Sequence, residues 1–345
     1  DGAAQFDTNK RPPAMSDGYR PPAKLAVLLP LSGRLATAAQ PVRDGLLSAY
    51  YGESRRRPDI NFFDTAGTPA GALAAYDKAV ASGADFVVGP LGRDEVDAVY
   101  GRQQLQVPVL ALNRGKDAPP TGSAGFSLAP EDDGIVAAEY LRGRERGKAL
   151  VINSADDTGR RAAAAFAQRF AQRGGQVVAT IGVTDAVGDV GAQVRNAGQV
   201  DAVFLAVRAP QARLLAPQLA LAGAGGATRV GTSQLTVGSG KVEEDVALDG
   251  IVYPNEAWNV RSVSGLPSAS QVASTLPSAR GAAGRLFAFG ADAWKITAYL
   301  DKLSNEGGLD GATGTLFLDS NGNILRQPAW STFNGGRPMP IVGGR

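Results

Sequence analysis

The sequence predicts an α/β protein with two lobes, each a mostly parallel sheet flanked by helices, and with multiple crossover segments between the lobes. Short apolar runs alternate with segments of helical periodicity, and this alternation restarts after the stretch "SAGFSLAPEDDG". The 345 residues are also about twice the usual size of a single domain, roughly 150 residues. Strands that are apolar on both faces and separated by helices favour parallel pairing with right-handed crossovers.

The first lobe begins with the strand "KLAVLLP", which Pro30 ends, followed by a loop and helix in "SGRLATAAQPVRDGLLSAYYG". The next strand and helix are "DINFFDT" and "PAGALAAYDKAVASG", and Gly83 ends this helix as a C-terminal cap. The strands "ADFVVGP" and "VPVLALN" follow, with a helix between them. Residues 1–23 are rich in Pro, Gly and polar residues, so we expect a linker or flexible tail there.

The second lobe repeats the pattern with the strands "KALVINS", "QVVATIG", "DAVFLAV" and "TRVGTS", and helices near residues 132–146, 159–173 and 210–222. After "GIVYPNEAW", the Ser- and Ala-rich "SVSGLPSASQVASTLPSAR" is expected to be a mobile surface segment, and the helix "GRLFAFGADAWKITAYLDKLSN" follows it. A hairpin turned by Asn321-Gly322 closes the chain. The predicted boundaries are residues 24–130 plus 252–311 for the first lobe and 131–251 plus 312–345 for the second.

The composition excludes several kinds of chemistry. The sequence contains no Cys and no His, which rules out thiol nucleophiles, Ser-His-Asp triads and the common kinds of zinc site. The 35 basic and 33 acidic residues give a formal charge of +2, so we expect no nucleic-acid partner. No apolar run approaches the roughly 20 residues that span a bilayer. We therefore expect a soluble chain with no cofactor, no metal and no catalytic residues.

A binding site is expected in the loops after the strands, because ligands of such sheets lie beyond the carboxyl ends of the strands. The residues predicted to line a cleft between the lobes are Ser32, Gly33, Arg34, Asp64, Thr65, Gly89, Pro90, Leu91, Arg93, Asn113, Arg114, Asp156, Asp157, Arg208 and Tyr253.

Two of these loops have a structural interpretation beside the functional one. Ser32-Gly33 offers hydroxyl and N–H groups to a carboxylate, or it simply caps the following helix. Gly89-Pro90-Leu91 is interpreted as a bend that ends a buried strand, in preference to a ligand-binding loop. The loop contains no Walker-type Gly-Lys-Ser/Thr, which opposes phosphate binding.

The arginines of these loops also have two interpretations. Arg34, Arg93 and Arg114 either recognise an anionic group through bidentate hydrogen bonds or are solvated charges at the rim, and we favour the second. Their long side chains would crowd the space of an amino-acid ligand or pair with Asp64 and Asp156. They therefore oppose a free amino acid as the ligand.

The acidic clusters and the tryptophans also have a structural and a functional interpretation. Glu243-Glu244-Asp245 would suit glycoside hydrolysis, but adjacent acids on a polar loop are usually solvated. Asp132-Asp133 is typical of a helix N-terminus, and residues 319–323 are interpreted as a hairpin turn in preference to a calcium loop. Trp294 is expected to pack a helix onto the sheet, whereas Trp258 is the better candidate for facing the cleft or a partner.

An ordered set of stretches carries a family resemblance. The set consists of "LAVLLPLSGRLATAAQPVRDGLLSAYY", "FFDTAG", "GADFVVGPLGRDEV", "VPVLALNRG", "FSLAPEDDG", "FAFGADAWKITAYL" and "GLDGATGTLFLDSNGNILRQPAWSTFNGG". Together these stretches resemble type I periplasmic binding proteins and, within that fold, the C-terminal domain of the LpoA (YraM/LppC) lipoprotein family. The resemblance runs from about Lys24 to Gly336.

The resemblance implies a type I periplasmic-binding-protein-like fold and a non-enzymatic function, the binding and stimulation of the periplasmic part of a class A penicillin-binding protein in peptidoglycan synthesis. It also implies a lipoprotein on the periplasmic side of the outer membrane, whose lipid anchor and N-terminal helical-repeat domain lie outside this chain. A small ligand or peptidoglycan is a further expected partner. The alternatives are a periplasmic solute receptor, which binds an amino acid, a peptide or a wall fragment between the lobes, and a wall hydrolase.

Overall fold

The structure, a computed structural model, describes residues 8, 10–102, 104–305 and 307–341. In chain order, the strands are β1 (Lys24–Leu29), β2 (Asp59–Asp64), β3 (Phe86–Val88), β4 (Val109–Ala111), β5 (Ala124–Phe126), β6 (Lys148–Ser154), β7 (Gln176–Val183), β8 (Ala202–Ala206), β9 (Thr228–Gly231), β10 (Val252–Asn255), β11 (Leu309–Asp310), β12 (Thr315–Leu318), β13 (Asn323–Gln327), β14 (Ala329–Asn334) and β15 (Arg337–Pro340). The α-helices are α1 (Ala36–Gly52), α2 (Pro69–Ala81), α3 (Arg93–Tyr100), α4 (Pro130–Gly143), α5 (Asp157–Gln172), α6 (Gly191–Asn196), α7 (Ala209–Leu221), α8 (Val242–Asp245), α9 (Ala257–Val260), α10 (Ala269–Thr275), α11 (Ala283–Ala298) and α12 (Leu300–Asn305).

These elements fold into two units, each with its own sheet. The first unit comprises the described residues up to Leu128 together with Glu256–Gln327, and the second comprises Ala129–Asn255 together with the described residues from Pro328. Both sheets are mostly parallel and flanked by helices, so the predicted α/β fold class is confirmed. Among the described residues, no helix has the length and apolar character needed to cross a membrane.

The sheet of the first unit has the strand order β11-β12-β13-β5-β4-β3-β1-β2. β1 to β5 are parallel, β13 runs parallel to β5, and β12 and β11 add antiparallel strands at that edge. Alternate residues of β1 face opposite layers: Leu25, Val27 and Leu29 pack in the core that contains α1 and α11, and Ala26 and Leu28 pack in the core that contains α2 and α3. This double burial explains the continuous apolar run of β1.

Two glycines allow α1 and α11 to pack backbone against backbone. A Cβ atom on Gly45 would lie 1.9 Å from the Phe287 carbonyl oxygen, and one on Gly290 would lie 1.9 Å from the Val42 carbonyl oxygen. Neither position therefore accepts a side chain without separating the helices. Trp294 of α11 is buried in the same core, which confirms the prediction that it packs the helix onto the sheet.

The sheet of the second unit has the strand order β15-β14-β10-β9-β8-β6-β7. β6 to β10 are parallel, and β14 and β15 are antiparallel additions. Helices α4 and α5 cover one face of this sheet, where they pack against Val151 and Phe204, and α6 and α7 cover the other, where they pack against Leu150 and Val203. The helices predicted near residues 132–146, 159–173 and 210–222 are α4, α5 and α7 with slightly shifted ends.

The predicted lobe boundary in the closing hairpin is wrong. Residues 312–327 were assigned to the second lobe, but β12 and β13 pair with β5 in the sheet of the first unit. Leu316 and Ile324 are buried in that unit's core, which fixes the hairpin there. The turn itself is confirmed, because Asn321-Gly322 connects β12 to β13 and Gly322 has a φ of +89°.

The boundary predicted near residue 252 is also wrong. Residues 252–255 form β10, which pairs with β9 and β14 in the second unit. The pattern "GIVYPN" marks a strand correctly, but nothing local to it specifies which sheet the strand joins.

The described part of the N-terminal segment packs against the first unit and is not a free tail. Tyr19 is 1% exposed, and its hydroxyl donates to the Arg56 carbonyl oxygen at 2.5 Å. The buried guanidinium group of Arg11 donates to the Thr297 carbonyl oxygen at 2.7 Å. The rest of the predicted linker, residues 1–7 and 9, lies outside the described residues.

The region between β10 and α11 differs from its prediction as well. The stretch predicted as a mobile segment contains α10, and Val272 of this helix is buried. Trp258 is 3% exposed, stacks on Phe287 at 5.1 Å and donates from its indole nitrogen to the Pro267 carbonyl oxygen at 2.8 Å. It is therefore a core residue and does not face a partner. The single helix predicted after it is divided at Tyr299 into α11 and α12.

Candidate functional site

In the first unit, Asp64 joins the loops that follow β1 and β2. Its carboxylate accepts hydrogen bonds from the backbone N–H groups of Leu31 (2.8 Å), Ser32 (3.3 Å) and Ala66 (2.8 Å), and from the Ser32 hydroxyl (2.6 Å). The Ser32 hydroxyl bond is the main reason that the pKa of Asp64 lies below its usual range. The Ser32 hydroxyl therefore already has an acceptor, which opposes its use for a ligand carboxylate. A Cβ atom on Gly33 would lie 2.6 Å from the Ala66 carbonyl oxygen, so the lack of a side chain at Gly33 allows the loops after β1 and β2 to approach closely.

Thr65, the next predicted residue, is buried beneath these loops. Its hydroxyl accepts the N–H of Gly67 at 3.2 Å. The carboxylate of Glu95 is also buried and accepts the N–H of Gly92 at 3.1 Å, at the start of α3. Burial raises the pKa of Glu95 above its usual range. Both side chains support the loops from within.

The Gly89-Pro90-Leu91 turn is held by hydrogen bonds from Leu112 and Asn113, the two residues that follow β4. Gly89 has a φ of +105°, and a Cβ atom there would lie 2.1 Å from the Leu28 carbonyl oxygen. The Leu112 N–H donates to the Pro90 carbonyl oxygen at 2.9 Å, and the Asn113 side-chain amide donates to the Leu91 carbonyl oxygen at 3.0 Å. These contacts support the interpretation of the turn as a bend that requires glycine.

The arginines of the first unit differ in their surroundings. Arg34 and Arg93 are exposed, and neither side chain makes a hydrogen bond or ion pair with another residue that the structure describes. Arg114 is half-buried, and with Asn113 it lines a surface cavity of about 340 Å³ beside the β12–β13 turn. None of the three is an ion-pair partner of Asp64, whose described partners are those given above.

In the second unit, Asp156 plays the part that Asp64 plays in the first. It caps α5 by accepting the Gly159 N–H at 2.8 Å, and it also accepts the Ser154 hydroxyl (3.0 Å) and a guanidinium N–H of Arg208 (2.8 Å). The Gly159 bond contributes most to holding the pKa of Asp156 below its usual range. Arg208 forms a second ion pair with Asp185, so two acids neutralise its charge.

The remaining predicted residues of the second unit are structural. Asp157 is the first residue of α5, and its carboxylate lies 3.4 Å from the guanidinium group of Arg161, one turn later. Tyr253 was predicted at a binding surface, but it is fully buried, with its ring 5.2 Å from that of Phe333. Burial raises the pKa of Tyr253 to about 12. The prediction is wrong for Tyr253 because its strand belongs to the interior of the sheet.

The acidic clusters weighed from the sequence also have structural partners. Asp245 is buried and accepts the Ser239 N–H at 3.0 Å, with Arg213 at 3.4 Å. Asp319 accepts the N–H groups of Asn321 and Asn323 in the hairpin turn, at 2.8 and 2.9 Å. Within the described residues, no group of acids is arranged to hold a metal ion.

Two features of these loops were missed by the sequence analysis. Gln211 accepts the Arg208 N–H at 2.9 Å and donates to the Ser154 hydroxyl at 3.2 Å, so it links the loops after β6 and β8. The sequence signal for this link is a glutamine three residues after the N-cap residue of a helix. Asp185 gave no such signal, because its ion pair with Arg208 joins loops that are distant in sequence.

The chain is similar to a known protein family and to curated proteins. A family model described as "LppC putative lipoprotein" matches residues 18–197 and 182–336. The penicillin-binding protein activator LpoA of Photobacterium profundum is 27% identical over 343 residues, which cover 90% of this chain and 55% of that protein. The chain thus spans about half the length of the curated relatives it matches.

Solved structures share the fold. The LpoA (YraM) C-domain from Haemophilus influenzae, described as a regulator of PBP1A, matches with a TM-score of 0.78 and 22% identity, covering 92% of this chain and all of that one. A structure described as a putative branched-chain amino acid ABC transporter, from Chromobacterium violaceum, matches with a TM-score of 0.68 and 28% identity over 90% of this chain and all of that one. The family resemblance in the sequence is thereby confirmed. Since the family model matches nearly the whole of the described chain, the chain belongs to the LppC lipoprotein family.

Proposed function

We propose that this chain binds a class A penicillin-binding protein through that protein's periplasmic part and stimulates its synthesis of peptidoglycan. The observation that carries the proposal is the family match from residue 18 to residue 336, together with relatives named as penicillin-binding protein activators over 90% of this chain. Because the chain spans about half of those relatives, the activity of the whole protein is inferred for this part of it.

A non-enzymatic role is part of the proposal. The absence of Cys and His removes the thiol nucleophile and the imidazole general base. Of the acids weighed for hydrolysis, Asp245 is buried beside Arg213, and Glu244 lies 3.8 Å from Lys241. Regulation of another enzyme requires a binding surface and no reacting group. The loops at the carboxyl ends of the strands agree with this role, because their polar atoms are hydrogen-bonded to one another.

The alternative, a solute receptor, has the support of the structural match to a transporter-type protein. The loop chemistry opposes it. In each unit a serine at or just after the carboxyl end of a strand donates its hydroxyl to an aspartate of its own unit, Ser32 to Asp64 and Ser154 to Asp156. A ligand carboxylate would have to displace these bonds. Native mass spectrometry of the purified chain tests this alternative, and a co-purified amino acid or peptide would favour it.

We place the protein on the periplasmic side of the outer membrane, held by a lipid. The family description, a lipoprotein, supports an envelope location. Fractionation of cells that express the full-length protein, with and without globomycin to block lipoprotein processing, would test this placement.

The decisive experiment is the rate of glycan polymerisation and cross-linking by a class A penicillin-binding protein of the same organism, with and without this chain, alongside direct binding. We expect saturable binding and faster cross-linking. The full-length protein is assayed in parallel. If neither the chain nor the full-length protein binds or stimulates the enzyme, the proposal is wrong.

A further inference from the structure

The segment from the end of α4 through the following loop to the first residue of β6 carries a group of cations, which we call the amino-edge cluster: Arg142, Arg144, Arg146 and Lys148. The loop lies at the amino ends of the parallel strands in the second unit, the edge opposite the loops described above. Lys148 is the first residue of β6, and the Arg146 guanidinium group contacts Thr228, the first residue of β9.

The guanidinium groups of the amino-edge cluster are held in place by uncharged oxygen atoms. Arg142 donates to the carbonyl oxygens of Arg173 and Arg146, both at 2.9 Å, and Arg146 donates to the Thr228 hydroxyl at 3.0 Å. Arg144 donates to the Tyr140 carbonyl oxygen at 3.2 Å and lies 3.5 Å from the centre of the Tyr140 ring. Each guanidinium has five N–H donors, so several donors per side chain remain available.

No described carboxylate forms an ion pair with any member of the amino-edge cluster. Two acids lie near the cluster and have other partners: Glu139, one turn before Arg142 on α4, pairs with Arg169 and Arg173. Asp201 accepts the backbone N–H groups of Gly147 and Lys148, both at 2.9 Å. Glu145 is the only acid between Arg142 and Lys148 in the sequence, and it is exposed. The cluster therefore holds ordered positive charge on a chain whose total formal charge is only +2.

One member of the amino-edge cluster, Arg142, interacts with the end of a helix. α4 and α5 both end here, and cations stabilise helix C-termini. Arg142 binds the carbonyl oxygen of Arg173, the residue that caps α5, and so has a structural function. Arg146 and Lys148 are exposed, and capping does not require their charges.

We propose that the amino-edge cluster docks an acidic face of the protein partner, through hydrogen-bonded pairs between its cations and the partner's carboxylates. This inference rests on the proposed function for the partner's identity. Three of the four cations are arginines, whose planar fork matches a carboxylate in two bonds. A membrane is the less suitable target, because none of the exposed large apolar side chains of the described chain lies in this loop, and surface-bound segments usually insert such side chains.

The test compares two matched double variants in this chain. Arg146→Gln with Lys148→Gln removes two exposed charges from the amino-edge cluster. Arg160→Gln with Lys241→Gln removes the same two residue types, also exposed and also in the second unit, from outside the cluster. Circular dichroism and thermal unfolding establish that both variants are folded. The probes are the penicillin-binding protein, a short poly-L-glutamate, and vesicles containing phosphatidylglycerol.

We expect the cluster variant to bind the penicillin-binding protein about tenfold more weakly than wild type, with a weaker dependence on salt, and the control variant to bind as wild type does. Equal binding by all three proteins would overturn the inference and leave the proposed function standing. A third result is that neither wild type nor either variant binds the penicillin-binding protein, while wild type binds poly-L-glutamate and the cluster variant does not. The proposed function would then be wrong, but the inference that the cluster binds carboxylates would stand. Loss of vesicle binding alone would overturn the inference in favour of a membrane.

Discussion

Arg208, at the carboxyl edge of the second unit's sheet, and the arginines of the amino-edge cluster have different kinds of partner. The contrast concerns these residues and not every arginine of the amino edge, because Arg173 there pairs with Glu139. At the carboxyl edge, Arg208 lies 2.8 Å from Asp156 and also pairs with Asp185. At the amino edge, Arg142 and Arg146 donate to carbonyl and hydroxyl oxygens and have no described carboxylate partner. The sequence shows arginines at both edges but does not show which of them lie beside a carboxylate. The counter-charge, which only the fold supplies, decides whether an arginine stabilises its own unit or remains available to a partner.

The largest effect is expected from removing the acid that organises the carboxyl edge. Asp156→Ala deletes both the cap of α5 and the partner of Arg208, so the free energy of unfolding of the second unit should fall by about 1 kcal/mol. Asp157→Ala, one residue later, removes a carboxylate that caps nothing and should cost much less. Urea-dependent hydrogen exchange of α5 amides measures both variants. Equal losses would contradict the assigned cap.

A smaller effect is expected from protonating Asp156 in the wild-type protein, since a neutral carboxyl group still offers an oxygen to the Gly159 N–H. The pKa of Asp156 is lowered in the folded state, so its contribution is fully present above the unfolded value of about 3.9 and is lost as the pH falls through the folded value. The stability difference between wild type and Asp156→Asn should therefore shrink below about pH 4. A difference that stays constant down to pH 3 would show that the charge of Asp156 contributes nothing.

The sequence predicts elements with a local signal far better than it predicts their partners. The apolar run of β1 and the Asn321-Gly322 turn were both predicted, because periodicity and turn chemistry lie within a few residues. The pairing of β13 with β5 was not predicted, since an alternating pattern marks a strand without naming its neighbour. The burial of Tyr253 and Trp258 was missed because it depends on packing between distant segments.

The candidate site shows the same limit. Ser32, Asp64 and Asp156 were all identified from their position after strands, and the structure does place them at the carboxyl ends of the sheets. The Ser32–Asp64 bond that occupies these groups joins loops after two different strands, so no local pattern contains it. The sequence predicts where these polar groups lie, but it does not predict which of them form hydrogen bonds with one another.

A direct contrast between the edges comes from removing one arginine from each. Arg208→Gln should lower the stability of the second unit by about 0.5 kcal/mol, a modest cost because the pair with Asp156 is partly exposed to solvent. Arg146→Gln should leave stability unchanged, because the side chain loses only one solvent-exposed hydrogen bond, to the Thr228 hydroxyl. The measurement is again hydrogen exchange under urea. If Arg146→Gln lowered the free energy of unfolding more than Arg208→Gln does, the comparison would be reversed. The amino-edge cluster would then stabilise its own unit.

The smallest effect is expected at the carboxyl edge of the first unit, where Arg93 and Arg114 follow β3 and β4. If these loops no longer serve a ligand and take no part in docking, Arg93→Ser with Arg114→Ser should leave stimulation of the penicillin-binding protein unchanged. The Arg93 side chain is exposed and makes no hydrogen bond or ion pair with the described residues, so its loss should not disturb the fold. Cross-linking rates and circular dichroism are measured together. A large loss of stimulation by a folded variant would place the docking surface on these loops, and the contrast between the two sheet edges would then no longer predict where the partner binds.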